Sequence, residues 1–169
     1  ADHRLRVAPS QVEVIAQAVA AALGVDGVSA PQLDSKQSEW IFRPVRDNWR
    51  GYQGLPDGTQ EVWLKVPGSD TERIHAWWMP QADEQAPVLL YLHGARWNLT
   101  GQLFRIEQLH EFGFSVLAID YRGFGRSDGD LPSEETVYQD AQAGWEQLVR
   151  LQPDASRRFI YGHSLGGAV

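Results

Sequence analysis

The chain has 169 residues, of which 43% are apolar and 22% are charged, a balance typical of a folded globular chain. Its formal net charge of −7 argues against binding to nucleic acid or to anionic lipid by charge. The absence of cysteine excludes disulfides, thiolate metal sites and a cysteine nucleophile, and no apolar run is long enough for a transmembrane segment. We therefore predict no nucleic-acid partner, no metal and no cofactor.

The first 25 residues predict an N-terminal helix, with the helical pattern over residues 8–25. Ser10 and Glu13 fit a capping box, in which each side chain accepts a hydrogen bond from a free backbone N–H. Apolar residues recur at helical spacing up to Gly24, a residue that favours a helix end. A partner-binding helix is one interpretation, but such apolar stripes usually pack on the protein body, and we favour that interpretation.

Residues 26–59 are predicted to be an irregular connecting segment, since they are rich in glycine, proline, aspartate and serine. Aromatic residues are scattered through it, among them Trp40, Phe42 and Trp49. Flexible linkers rarely carry so many aromatic side chains, so we expect this segment to be ordered.

From residue 60 onward, strand patterns alternate with helical patterns. Strands are predicted over 60–66, 72–79, 87–92, 115–119 and 158–161, and helices over 101–112 and 133–151. The last three strands are short apolar runs, as expected of strands buried on both faces. Ser133 is the expected N-cap of the second helix. The alternation predicts an α/β fold with a mostly parallel central sheet and flanking helices.

Two segments match the pattern G-x-S-x-G, one centred on Ser127 and one on Ser164. A nucleophile elbow needs a strand before the motif and a helix after it, and only the second match has both. We therefore predict Ser164 as the nucleophile and Ser127 as a turn residue. Gly162 and Gly166 are expected to support the elbow, because a Cβ at either position would collide with the neighbouring strand or helix.

The loop after the strand 87–92 is predicted to complete an oxyanion hole. In such sites one backbone N–H comes from the residue after the nucleophile, here Leu165, and another from an earlier loop, here Ala95. Gly94 lets the backbone turn toward the developing charge. We interpret His93 as a hydrogen-bonding support of this loop rather than as a catalytic base.

Two further residues of this loop are candidates for the substrate pocket. Arg96 either contacts an anionic group of a substrate or forms a surface salt bridge. Trp97 lies beside the predicted oxyanion loop and indicates either an apolar pocket or a core position.

The motifs H-G (93–94), D-Y-R-G-F-G-R-S (120–127), P-S-E-E (132–135) and G-H-S-L-G-G (162–167) together resemble the serine-hydrolase branch of the α/β-hydrolase superfamily. They are similar to the group that includes depalmitoylating thioesterases and lysophospholipid lipases. The resemblance covers about residues 60–169 and implies an α/β-hydrolase sheet of about eight strands, of which this chain supplies strands 1–5. It also implies that Asp120 and Arg122 belong to the scaffold.

In this fold the catalytic triad follows the order serine, acid, histidine. All five histidines precede Ser164, namely His3, His75, His93, His110 and His163, and we expect the side chain of His163 to point away from the serine hydroxyl. We therefore expect the acid and the histidine to lie beyond residue 169. Residues 60–169 would then be the N-terminal part of the domain, inactive and incompletely covered without the C-terminal remainder as a required partner.

The sequence thus predicts a serine hydrolase that cleaves carboxylic esters or thioesters of a small acyl substrate through an acyl-enzyme on Ser164. Two alternatives stay open: a serine peptidase of the same fold, and a catalytically inactive interaction protein that retains the fold. The chain begins at Ala1, either as a processed form or as a trimmed one, and an exported or periplasmic location is slightly favoured over a cytoplasmic one.

Overall fold

A five-stranded sheet lies at the centre of the computed structural model, which describes residues 38–169. The strands are β1 (Gln60–Lys65), β2 (Arg73–Met79), β3 (Val88–Leu92), β4 (Ser115–Ile119) and β5 (Arg158–Gly162). Their order in the sheet is β1-β2-β4-β3-β5. Both pairs that β2 forms are antiparallel, whereas β3 pairs with β4 and β5 in parallel. Four strands therefore run in one direction, which confirms the predicted mostly parallel sheet.

Helices cover the two faces of this sheet. Helix α1 (Leu103–Glu111) packs through Ile106 into one apolar cluster, and helix α2 (Glu134–Leu151) packs through Val137 and Leu148 into the other. Because side chains alternate along a strand, neighbouring residues of β3 and β4 enter opposite clusters. Tyr91, for example, lies with Ile106.

The ends of the helices follow their sequence signals. Ser133 caps α2 as predicted, since its Oγ accepts a hydrogen bond from the N–H of Thr136 at 3.2 Å, and the Thr136 Oγ1 accepts one from the N–H of Ser133 at 2.8 Å. The helix predicted over 101–112 begins instead as a 3-10 turn, Leu99–Gly101, capped by Asn98.

The prediction that β5 is buried on both faces is wrong. Its residues Phe159, Ile160 and Tyr161 are 44%, 57% and 37% exposed. The physical reason is position: β5 pairs only with β3, and among residues 38–169 no strand lies on its other side.

The segment before β1 is ordered and is hydrogen-bonded to the loop that follows β3. The N–H of Arg43 donates to the carbonyl of Ala95 at 3.0 Å, and the Asn98 amide donates to the carbonyl of Val45 at 2.8 Å. Phe42 is buried in the core. The predicted N-terminal helix over 1–25, and the connecting segment as far as residue 37, lie outside the described residues. No described helix is both long and apolar enough to cross a membrane.

Candidate active site

Ser164 lies at a sharp turn between β5 and the 3-10 helix Ser164–Gly167. Its φ is 57°, in the left-handed region, and of the other non-glycine residues described only Trp97 shares a positive φ. Backbone strain of this kind costs on the order of 1–3 kcal/mol and concentrates at functional sites. The serine is exposed at the tip of the turn, where a reacting group can reach it.

Three glycines allow this turn to pack closely on β3. A Cβ at Gly162 would lie 2.6 Å from the Cα of Gly167, and a Cβ at Gly166 would lie 2.7 Å from the carbonyl carbon of Leu92. A Cβ at Gly94 would lie 3.2 Å from the Cβ of Ser164. The absence of side chains at these positions therefore brings the loop after β3 against the serine.

Two backbone N–H groups near the serine have no acceptor among the described residues. The Ala95 N–H follows the close Gly94–Ser164 approach, and the Leu165 N–H follows Ser164 itself. Within residues 38–169 neither donates a hydrogen bond, although the carbonyls of both residues accept one. Unpaired N–H groups beside a nucleophile are suited to hold a developing oxyanion.

The serine opens into a cavity of about 420 Å³. We call it the Ser164 cavity and define it by its ten lining residues: Trp49, Gly94, Ala95, Arg96, Trp97, Gly101, Gln102, Arg105, His163 and Ser164. A volume of this order suits a small organic group. The loop after β3 supplies four of these residues, so the predicted site residues Gly94, Ala95, Arg96 and Trp97 meet Ser164 in one space.

The wall of the Ser164 cavity combines aromatic and cationic side chains. Trp49 and Trp97 make an edge-to-face contact with ring centroids 4.4 Å apart. Arg96 and Arg105 are both exposed, and the ten lining residues include no aspartate or glutamate. The cavity is therefore locally cationic in a chain of net charge −7.

His93 lies under the loop, fully buried. Its Nδ1 is 2.7 Å from the carbonyl oxygen of Gly94, and its Nε2 is 3.2 Å from the Oδ1 of Asp120. The hydroxyl of Tyr121 donates to the carbonyl of His93 at 3.2 Å. These contacts support the loop after β3 from the protein interior. His93 itself does not line the Ser164 cavity.

His163, the residue before Ser164, lines the cavity. Partial burial, and after it the positive charge of Arg105, lower the pKa of His163, so its ring is neutral near pH 7. Across residues 38–169, neither His163 nor any other histidine makes a hydrogen bond with Ser164. Within the described residues, the Ser164 hydroxyl is thus not paired with a base.

The other G-x-S-x-G segment, centred on Ser127, has a different environment. Ser127 is fully buried, its hydroxyl donates to the carbonyl of Asp120 at 2.7 Å, and its oxygen accepts from the N–H of His75 at 2.9 Å. Both functions of the hydroxyl are used, so this serine ties the loop after β4 to β2.

Five lining residues are not predicted as site residues from the sequence: Trp49, Gly101, Gln102, Arg105 and His163. Gln102 is buried and accepts a hydrogen bond from the Tyr91 hydroxyl at 2.8 Å, and burial raises the pKa of Tyr91 to about 12. Arg105 carries a partial signal, because it lies in the first turn of the helix that follows the predicted oxyanion loop. Trp49 carries none, since it enters from the irregular segment. Within the described range, no group of three or more histidine, aspartate or glutamate side chains is arranged to hold a metal ion.

Comparison with known proteins matches the second half of the chain to a family. The family model described as "Serine aminopeptidase, S33" covers residues 83–169. Among curated proteins, the alpha/beta hydrolase domain-containing protein WAV2 of Arabidopsis thaliana is 34% identical over 113 residues, which cover 65% of this chain and 36% of WAV2. The lysophosphatidylserine lipase ABHD12 of Danio rerio is 33% identical over 112 residues, 64% of this chain and 27% of that protein.

Solved structures share the architecture. An alpha-beta hydrolase from Vibrio vulnificus aligns with a TM-score of 0.59 and 31% identity, over 72% of this chain and 43% of that one. The Pyrococcus furiosus esterase Pf2001 aligns with a TM-score of 0.58 and 25% identity, over 74% of this chain and 47% of that one. The chain thus spans less than half the length of these relatives.

Proposed function

Because the chain belongs to the serine aminopeptidase family of α/β-hydrolases, we propose that it carries the nucleophile and oxyanion hole of a serine hydrolase that cleaves carboxylic esters or thioesters. The observation that carries the proposal is the left-handed backbone of Ser164, at φ 57°, beside two backbone N–H groups without acceptors. The esterase and lipase named among the similar proteins support the same reaction class.

The proposed reaction begins when the Ser164 Oγ attacks the acyl carbon and a base takes the hydroxyl proton. The carbonyl π electrons move onto oxygen, and the N–H groups of Ala95 and Leu165 stabilise the resulting oxyanion. Collapse of the tetrahedral intermediate expels the alcohol or thiol, which receives the proton from the base. Water then attacks the acyl-enzyme by the same route and releases the acid.

The base is the part of the proposal that the described residues do not supply. A serine hydroxyl without a base is a weak nucleophile, and no described histidine is bonded to Ser164. In the chain order of this fold, the acid and the histidine follow the serine. We therefore assign both to sequence after residue 169, in keeping with the greater length of the relatives.

A peptidase that removes N-terminal residues is the main competing function, as the family description suggests. Such an enzyme must bind a free ammonium group, and a carboxylate or a ring of acceptors serves that purpose. The lining of the Ser164 cavity has two arginines and no carboxylate. This charge favours the esterase over the aminopeptidase.

The proposal is tested on the intact protein with a fluorophosphonate probe, followed by peptide mapping of the labelled residue. We expect the label on Ser164, and we expect Ser164→Ala to reduce hydrolysis of p-nitrophenyl esters by about 10⁴-fold or more. Ser127→Ala, in the first G-x-S-x-G motif, is the matched control and should keep the rate per folded molecule. Labelling of Ser127, or an active Ser164→Ala variant, would refute the assignment.

A further inference from the structure

The Ser164 cavity has a charge opposite to that of the chain around it. Two of its lining side chains are cationic, none is anionic, and the whole chain has 22 acidic against 15 basic residues. We infer that this cavity selects esters that carry a negatively charged group, bound by Arg96 and Arg105. The inference rests on the proposed function and adds to it the class of substrate.

Both guanidinium groups are available to a ligand. Within the part of the chain that the structure describes, neither Arg96 nor Arg105 has a carboxylate at salt-bridge distance or a hydrogen-bond acceptor. Two arginines away from the cavity differ: Arg122 is 2.8 Å from the Oδ1 of Asp140, and Arg126 is 2.6 Å from the Oε1 of Glu61. Arg46 also serves the fold, and its guanidinium donates to the carbonyls of Ser127 and Gly129 at 3.0 and 2.6 Å.

The two arginines come from different elements and border one space. Arg96 lies in the loop after β3, where its backbone is bridged to Arg43, and Arg105 lies in the first turn of α1. The charge of Arg105 contributes to the lowered pKa of His163, the residue next to Ser164. Arg105, His163 and Ser164 line the same cavity, so a group bound by Arg105 would share that space with the serine.

Trp97, beside Arg96 in the cavity wall, has a strained backbone conformation. Trp97 has a φ of 68°, which bulky residues rarely adopt, and its ring meets Trp49 edge to face. Such strain persists only where the surroundings fix it, and it concentrates at ligand-binding positions. Because Arg96 precedes Trp97 directly, the same contacts restrict the backbone from which its guanidinium extends.

The chemistry of guanidinium groups defines the ligand class. Arginine presents a planar set of N–H donors that matches the oxygens of a carboxylate or a phosphate. The charged group can belong to the acyl part or to the alcohol part of the ester, and the two have the same recognition chemistry. The experiment separates them.

The test compares neutral and charged esters of matched shape, hydrolysed by the intact protein. The acyl side is probed with the p-nitrophenyl monoester of glutarate and its neutral methyl ester. The alcohol side is probed with butyrylglycerol and its phosphate. We expect kcat/KM to be about tenfold higher for the charged member of at least one pair. A ratio of this size corresponds to the free energy of one charge-assisted hydrogen bond.

Single substitutions then assign the preference. Arg96→Gln and Arg105→Gln should each lower the charged-to-neutral ratio of kcat/KM by about fivefold or more. The control is Arg150→Gln, which removes the same charge from an exposed position on α2 and should leave the ratio unchanged.

Three outcomes would overturn the inference in distinguishable ways. If both members of each pair are hydrolysed at equal rates and Ser164→Ala abolishes both, the proposed function stands and the charge selection is wrong. If no ester shows hydrolysis that depends on Ser164, the proposed function fails and the inference fails with it. A preference that survives both arginine substitutions would also refute the assigned residues.

Discussion

Replacing Gly166 by alanine tests the close packing that shapes the nucleophile turn. The added Cβ would lie 2.7 Å from the carbonyl carbon of Leu92 and 2.9 Å from the carbonyl oxygen of His93, distances that real Cβ atoms do not adopt. Both obstacles are backbone atoms at the end of β3, so no side chain can rotate away. The turn and the strand must separate instead.

The size of the effect follows from what has to move. Overpacking costs typically 1–3 kcal/mol when side chains can adjust, and we expect about 3 kcal/mol or more here because only backbone can yield. A displacement of about 1 Å at a catalytic group can lower the rate about 100-fold. Urea unfolding of the intact protein and ester turnover per folded molecule measure the two effects.

Gly167, the next residue, provides the matched control. A Cβ there would lie 3.5 Å from the carbonyl oxygen of Gly162, an ordinary contact. Gly167→Ala should therefore change the free energy of unfolding by no more than about 1 kcal/mol, and the lower entropy of the unfolded alanine chain acts in its favour. If Gly166→Ala proves as stable and as active as Gly167→Ala, the turn does not pack on β3 as described.

Two further variants test the scaffold behind the site. Ser127→Ala removes the donor to the Asp120 carbonyl and the acceptor of the His75 N–H, and leaving both buried groups unpaired should lower the free energy of unfolding by about 2 kcal/mol. Ser156→Ala, at an exposed serine, is the control. Equal urea midpoints for the two variants would show that the Ser127 hydrogen bonds do not stabilise the fold. Burial lowers the pKa of His75, so the unfolded chain binds a proton below about pH 6.5 that the folded chain does not. The free energy of unfolding therefore decreases as the pH falls from 6.5 toward the pKa of His75 in the folded chain. The decrease is at most about 1.4 kcal/mol at pH 5.5. His75→Gln should therefore lose less stability than the wild type between pH 7.5 and 5.5, and parallel losses would show that His75 titrates normally when folded.

The sequence predicts the strands well where their own residues decide the outcome. β4 is found with its exact bounds and β3 to within one residue, because each is a short apolar run between clear breaks. β5 is found as a strand, yet its exposure is mispredicted, since burial depends on neighbouring strands and not on the strand itself. The local sequence pattern therefore predicts where a strand lies in the chain, but it does not predict how far that strand is buried.

The candidate site divides in the same way. Ser164, Gly94 and Ala95 are predictable because a short motif and the strand before it place them. Arg105 and Trp49 are not, because they reach the cavity from a helix and an irregular segment that only folding brings together. The spacing of these residues in the sequence does not indicate that they lie close together in the fold.

The loop after β4 has a consequence for how the molecule opens. Two of its buried side chains accept hydrogen bonds from backbone N–H groups outside the loop, Asp120 from Leu99 and Ser127 from His75. In turn, Asp140 of α2 accepts a hydrogen bond from the N–H of Arg122 in the loop. None of these bonds can break by fraying of one element, because each joins elements distant in sequence. Loops of this kind usually fluctuate alone, at low free energy. This loop instead joins three elements, β2, the 3-10 turn before α1, and helix α2, into one cooperative unit. Asp120 of the loop also contacts His93, so the support under the loop after β3 belongs to that unit.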